Sequence, residues 1–364
     1  MSEVPVSIQP GAAPFNPALA FHCENTVPRS MVHRAAVSEV FLTGAVLVNE
    51  GHFRCIAQLP RTHSYFSEHT HRAAHYDMLL LLEVFRQASI YISHAFLKVS
   101  AQDKFIYLDS VTRVTERSAL VVGDRPALAE IDVYVVDEYV RHGERSGVTL
   151  NMALSINGQV AARHERMSIR WMSGGAWNKM RARGLAAIPA DADAQAQLPA
   201  PLSPSAVGRH WLNNVVLGRD LQQGPDALVA PLIVDLNNPA IFDHPLDHIP
   251  GMLLLEGFRQ VALLAANQQL QLGPEELLLS SCHVVFTRFG EFGLPTRVRA
   301  DLASLALDEQ GRVTLALDVE QGGAVLATAE LQLLPVLATA ELQLLPVLAS
   351  QALEPVALAA GGVR

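Results

Sequence analysis

The stretch MLLLLEVFRQAS, Met78 to Ser89, has the apolar density of a buried helix, yet Glu83 and Arg86 interrupt it. The pattern returns as GMLLLEGFRQVA, Gly251 to Ala262, with Glu256 and Arg259 in the same slots. Apolar residues run nearly all the way round both segments, so each helix must be covered on most of its surface. A glutamate and an arginine three residues apart share one helix face and can pair. Burying such a pair costs on the order of several kcal/mol per ion, and it seldom stabilises a helix better than apolar residues do. Two readings stay open: an ion pair that is merely tolerated, or a polar face looking into a cleft. In the second, a carboxylate in an apolar setting serves as general acid or base. The guanidinium then offers a planar fork for phosphate or carboxylate.

The two helices anchor an internal repeat. His71 and His244 stand twelve residues before the two glutamates, and His75 and His248 stand eight before. Shared spacing across so long an interval reads as a duplicated domain. Strand-like alternation fills 35–48, 52–59, 129–140 and 147–158 in the first copy. In the second it fills 282–289, 296–307 and 311–321. β-Branched residues and intervening Gly or Asn argue for half-buried antiparallel strands. One long helix among such strands, twice over, is an α+β plan.

The run 186–208, rich in Ala, Pro and Asp without apolar period, reads as a linker. The expected division is an N-terminal segment 1–29, domain one at 30–175, a linker at 176–207, domain two at 208–348 and a tail at 349–364. Near the end, VLATAELQLLP at 325–335 is followed at once by an identical copy at 336–346. Only one copy can be the closing strand of domain two.

Composition narrows the function classes. Half of the 364 residues are hydrophobic and 17% are charged, which fits a globular chain of two domains. A net charge of −9 argues against broad nucleic-acid binding. No apolar run approaches the roughly 18 residues that cross a bilayer, and the first residues do not read as a signal peptide. Three scattered cysteines fit a reducing cytoplasm.

The residues ahead of each helix point to a site. FDHPLDHIPG, Phe242 to Gly251, sets histidines, aspartates, Pro250 and Gly251 before the second helix. Free N–H groups at a helix start hold an oxyanion, and Gly251 would let a substrate carbonyl approach. The first copy offers His63, His69, His71 and His75 but no Pro-Gly. These spacings match no metal motif, so no metal is expected.

FDHPLDHIPGMLLLEGFRQVA resembles the hotdog proteins of acyl-carrier-protein and acyl-CoA chemistry. With VHRAAVSEVFLTG, AQLPRTHSYF and LLLLEVFRQASIYISH in order ahead of it, the chain more narrowly resembles the A-factor biosynthesis (AfsA-like) proteins. The resemblance implies a tandem, double hotdog, each long helix wrapped by an antiparallel sheet. It implies an acyltransferase of γ-butyrolactone or butenolide biosynthesis. Such an enzyme joins a β-ketoacyl chain on acyl carrier protein to the hydroxyl of dihydroxyacetone phosphate, without a cofactor.

On that chemistry Glu83 or Glu256 is the base, and Arg86 or Arg259 holds the phosphate. The N–H groups near Gly251 polarise the thioester, and His244 or His63 orients a reactant. His244 lies two residues closer to its glutamate than the dehydratase histidine does, which weighs against dehydration. The alternatives are a hotdog thioesterase or dehydratase, and a non-catalytic acyl-binding hotdog. Either a monomer or a homodimer would satisfy the plan.

Overall fold

The computed structural model describes residues 23–68, 74–186 and 197–336. Half one contributes β1 (Leu42–Asn49), β2 (His52–Leu59), α1 (Met78–Ala95), β3 (Lys104–Val114), β4 (Ala127–Arg141), β5 (Glu144–Ile156) and β6 (Gln159–Met172). A helix α2 (Gly174–Ala186) follows. Half two contributes β7 (Gln222–Gln223), β8 (Ala227–Pro231), α3 (Gly251–Leu270), β9 (Leu277–Phe286), β10 (Thr296–Leu307), β11 (Val313–Gln321) and β12 (Ala324–Pro335).

Among the described residues the strands form one antiparallel sheet of twelve, in the order β1-β2-β4-β5-β6-β3-β9-β12-β11-β10-β8-β7. The order is a palindrome of the two halves, which meet where β3 pairs with β9, Asp109 opposite Val285 and Val111 opposite His283. Each half wraps its sheet around its own long helix, the tandem hotdog arrangement. The expected strands are present, with β1 starting only at Leu42 because Val37–Glu39 makes a 3-10 turn.

The apolar girth of α1 and α3 is explained by this wrapping. Leu79 to Leu82, Phe85 and Ile92 are buried on α1, as are Leu253 to Leu255, Phe258 and Val261 on α3. Within the shared LLLE-x-FRQ stretch the copies differ at one position, Val84 against Gly257. A Cβ at Gly257 would lie 3.0 Å from Leu232 and 3.1 Å from Val298. The α3 backbone therefore approaches its sheet more closely than a valine would permit. The helix starts also differ. Asp77 caps α1, its carboxylate accepting the Leu79 N–H at 2.8 Å, whereas Pro250 stands at the start of α3 with no side-chain cap.

The expected linker at 176–207 is corrected in its first part. Residues up to Ala186 continue α2, which docks on half two. Trp177 Nε1 donates to Asp247 at 2.8 Å, and Arg181 reaches both oxygens of Glu291 at 2.7 and 2.6 Å. The Arg181 Nη2 group also donates to the Asp247 carbonyl at 2.7 Å. An amphipathic stripe of two residues, Trp177 and Arg181 at i and i+4, is too slight to show as an apolar period. The remainder of the linker between 187 and 196 lies outside the described residues. Of the duplicated eleven-residue segment, the first copy is β12, and the second lies outside them after Val336. No helix among the described residues is long and apolar enough to cross a membrane.

Because Arg181 and Glu291 are both buried, Arg181→Ala leaves a carboxylate uncompensated at the α2 contact. The expected cost is roughly 3–5 kcal/mol, the range for breaking a buried pair, read as a lower denaturant midpoint. Arg183→Ala, on the exposed side of the same helix, should leave the midpoint unchanged.

Candidate active site

Each long helix carries the same hydrogen-bonded network. On α1, Glu83 Oε1 accepts from Arg34 Nε at 3.1 Å, Arg86 Nη2 at 3.0 Å and Gln87 Nε2 at 2.7 Å, and its Oε2 accepts from Arg86 Nε at 2.8 Å. On α3, Glu256 Oε1 accepts from Arg209 Nε at 3.1 Å, Arg259 Nη2 at 2.8 Å and Gln260 Nε2 at 2.5 Å. The glutamines also clamp the backbone. Gln87 accepts the Phe41 N–H and donates to the Glu39 carbonyl, and Gln260 does the same with Val216 and Asn214. Both glutamates are fully buried.

Arg34, Arg209, Gln87 and Gln260 carry as much of these networks as the expected residues do. Their signal was in the sequence: E-x-x-R-Q recurs in both helices, and VHRAAVSEV and VGRHWLNNV set an arginine two residues after a valine in both copies.

The networks cross between halves. Asp243 of half two accepts the backbone N–H groups of Ala35 and Ala36 beside the α1 network. Glu68 of half one accepts those of His210 and Trp211 beside the α3 network. Glu68 and Asp243 are thus counterparts, fifteen and thirteen residues ahead of their glutamates, so the first copy carries two extra residues. Phe66 then corresponds to Ile241. His75 and His248 keep their match, each directly before the residue (Tyr76, Ile249) that pairs with an adjoining loop. His71, the expected counterpart of His244, lies outside the described residues.

This crossing separates residues that a single linear motif would unite. His244 sits by the α1 network, its ring half-exposed, 3.4 Å from Asp243. Burial, with the positive Arg34 and Arg86 nearby, keeps its pKa below the usual value despite the Asp243 contact. Glu256 instead meets residues of half one: Arg259 Nη1 donates to Asp77 at 3.1 Å, and Arg209 pairs with Glu68 at 3.2 Å.

The ring of His63 is bonded to neither glutamate. Its Nδ1 accepts the N–H groups of Tyr65 and Phe66, so its Nε2–H donates to the Glu39 carboxylate. Gly251 has no open space before it. A Cβ there would lie 3.1 Å from the Phe286 ring, which makes ring packing, not substrate approach, the reason for the glycine.

The two networks are not equivalent chemically. Burial alone would raise the pKa of both carboxylates, but the paired arginines outweigh it, holding Glu83 at about 2 and Glu256 below its ordinary value. Both oxygens of Glu83 accept hydrogen bonds. Around Glu256, four buried polar atoms make no hydrogen bond: Glu256 Oε2, Arg259 Nε, Arg209 Nη2 and Tyr65 Oη. Arg209 Nη2 lies 3.0 Å from Glu256 Oε1 as an ion contact without hydrogen-bond alignment. Buried groups of this kind are ordinarily satisfied; here one acceptor and three donors are left without a hydrogen-bond partner among the described residues.

An apolar cleft between the halves adjoins this network at Arg259, Glu68 and Asp77. Met78, Val114 and Leu120 line it from half one, and Leu263, Leu279 and Leu334 from half two, with Glu68, Asp77 and Arg259 among its polar lining. The corresponding region beside the α1 network is covered by α2, whose Trp177 and Arg181 lie on Asp247, His248, Phe289 and Glu291.

The model for the A-factor biosynthesis hotdog domain matches residues 19–172 and again 190–337. The chain belongs to that family. A 2-oxo-3-(phosphooxy)propyl 3-oxoalkanoate synthase of Streptomyces virginiae is 36% identical over 293 residues, 80% of this chain and 92% of the relative. A synthase of the same name from Streptomyces griseus is 28% identical over 83% of this chain and 93% of the relative. Among solved structures, the dehydratase domain of a mycocerosic acid synthase-like polyketide synthase is similar over 80% of this chain and 94% of its own, at 14% identity and a TM-score of 0.45. A likeness that weak carries no functional weight. In this member of the A-factor family, the repeat the model matches twice is the repeat that carries the two buried networks.

The low pKa of Glu83 fixes a pH dependence. A folded value near 2, below the ordinary 4.5, means the ionised carboxylate stabilises the fold above pH 4.5. That contribution fades as pH falls from 4.5 through 2. At about 1.4 kcal/mol per unit it amounts to roughly 3 kcal/mol. In denaturant titrations over that window the wild type should lose that much more stability than Glu83→Gln.

Proposed function

We propose that the chain transfers a 3-oxoacyl group from a thioester on acyl carrier protein to a hydroxyl of dihydroxyacetone phosphate. The names of its relatives describe the ester that such a transfer makes. The observation that carries the reading is the unpartnered Glu256 Oε2, on a carboxylate bonded to Arg259, which itself lines the apolar cleft between the halves. The leucine-rich walls of the cleft match an acyl chain in polarity. The arginines beside Glu256 keep it ionised, and its free oxygen offers a lone pair for a proton.

In the transfer, Glu256 Oε2 takes the proton of the acceptor hydroxyl as that oxygen forms a bond to the thioester carbon. The carbon–sulfur bond then breaks, and the thiolate leaves with the proton returned by Glu256. The carboxylate ends as it began, and no cofactor is consumed. Arg259 and Arg117 both line the cleft and supply positive charge for the phosphate. Glu83, with both oxygens hydrogen-bonded and its pKa near 2, acts by holding the segment 32–41 against α1.

The test is mass spectrometry of products from a 3-oxoacyl thioester and dihydroxyacetone phosphate. Wild type should yield the phosphorylated ester. Glu256→Gln should lower kcat by about 10²–10⁴-fold, the usual worth of a general base. It should remain folded, because Arg209 keeps Glu68 and Arg259 keeps Asp77 as counter-charges. Arg259→Ala should raise KM for the phosphate acceptor. Free 3-oxo acid as the sole product would replace the transferase by a thioesterase.

A further inference from the structure

The turn before α1 presents Tyr65 to the other half. Its side chain is 2% exposed, and its hydroxyl makes no hydrogen bond. Everything else about the residue is fixed. The Arg209 guanidinium lies over the ring at 4.4 Å and Arg209 Nη1 takes the Tyr65 carbonyl at 2.7 Å. The Tyr65 N–H is held by His63, and Phe66 packs against the ring edge. A phenol this firmly placed, with its one polar atom unspent, is costly to the fold unless a ligand takes up the hydrogen bond.

The surroundings say which ligand atom. Glu256 is the charge acting most strongly on the hydroxyl, with Arg209, Arg259 and Asp77 also close enough to act on it. By the match of Glu68 with Asp243, the counterpart of Tyr65 beside the α1 network is Ala240. The tyrosine is thus present only in the network that has the unpaired carboxylate oxygen and the open cleft.

We infer that Tyr65 is a catalytic residue lent by half one to the Glu256 site, where its O–H donates to the thioester carbonyl oxygen as charge develops there. This rests on the acyl-transfer reading above. As the acceptor oxygen adds to the carbonyl carbon, the C=O pair moves onto oxygen, and the Tyr65 O–H holds that oxyanion. When the carbon–sulfur bond breaks, the carbonyl re-forms. Tyr65 remains protonated throughout, and the only proton that moves travels through Glu256. Burial first, and then the Glu256 charge, raise the phenol pKa well above its usual value, so it is a donor at all working pH values.

Tyr65→Phe removes the hydroxyl alone. The expected result is a kcat lower by about 10²–10³-fold, the usual loss on removing one oxyanion donor. KM for dihydroxyacetone phosphate should change little, and the melting temperature should equal or exceed that of wild type. Wild-type kcat in the variant would overturn the inference, as would a loss of activity that only follows a lowered melting temperature. A second measurement needs no turnover. A 3-oxoacyl thioester labelled with ¹³C at the thioester carbonyl, bound to wild type without acceptor, should show its infrared carbonyl band shifted to lower frequency. An unshifted band overturns the assignment. A wild type that makes no ester removes the transfer reading instead, and the difference in the band between wild type and Tyr65→Phe still decides whether Tyr65 meets the carbonyl.

Discussion

The structure depends on a buried carboxylate that needs more than one cation. Glu83 and Glu256 lie in the middle of helices that are otherwise core, where a lone charge would cost far more than a domain's net stability allows. Each is kept ionised by an arginine one turn along its helix and a second arginine from the segment ahead of its sheet. The glutamine after the first arginine ties the same carboxylate to that segment's backbone. Helix, preceding segment and crossing loop are therefore fastened together at one charged point in each half. Such pairs are a poor source of stability compared with apolar packing. Their use here is to fix the position of polar atoms inside an apolar fold.

Duplication supplies two such points, and the halves have since diverged around them. In the α1 network both carboxylate oxygens are hydrogen-bonded, and helix α2 covers the region beside it. The α3 network has acquired Tyr65, Glu68 and Asp77 from half one and retains an unused acceptor and three unused donors. Five charged side chains, three acidic and two basic, surround that point. A buried cluster of this kind is stable only when its geometry is held from several sides, and four separate segments hold it. In the proposed reaction the first network serves as scaffold and the second binds and reacts.

Much of this was legible in the chain. The charged interruptions in two apolar helices marked Glu83, Arg86, Glu256 and Arg259, because burial makes an unpaired charge improbable without a task. The strands showed through alternation, which follows directly from the period of two along a half-buried strand. Arg34, Arg209, Gln87 and Gln260 were repeated in both copies and could have been read in the same way. Tyr65 could not, since a tyrosine inside THSYF carries no periodic signal and its counterpart is an alanine.

The sequence by itself determined the repeat, the α+β plan and the presence of two acid–base pairs inside the core, because these follow from local spacing and from the cost of burying charge. Only the tertiary structure decided which loop meets which helix. The halves pair through β3 and β9 and exchange their pre-helix loops, so that His244 faces α1 while Tyr65 and Asp77 face α3. It also decided that α2 lies over one region and leaves the other cleft open, through contacts such as Arg181 with Glu291, 110 residues apart. Those outcomes depend on packing between distant segments, which no local pattern of residues encodes.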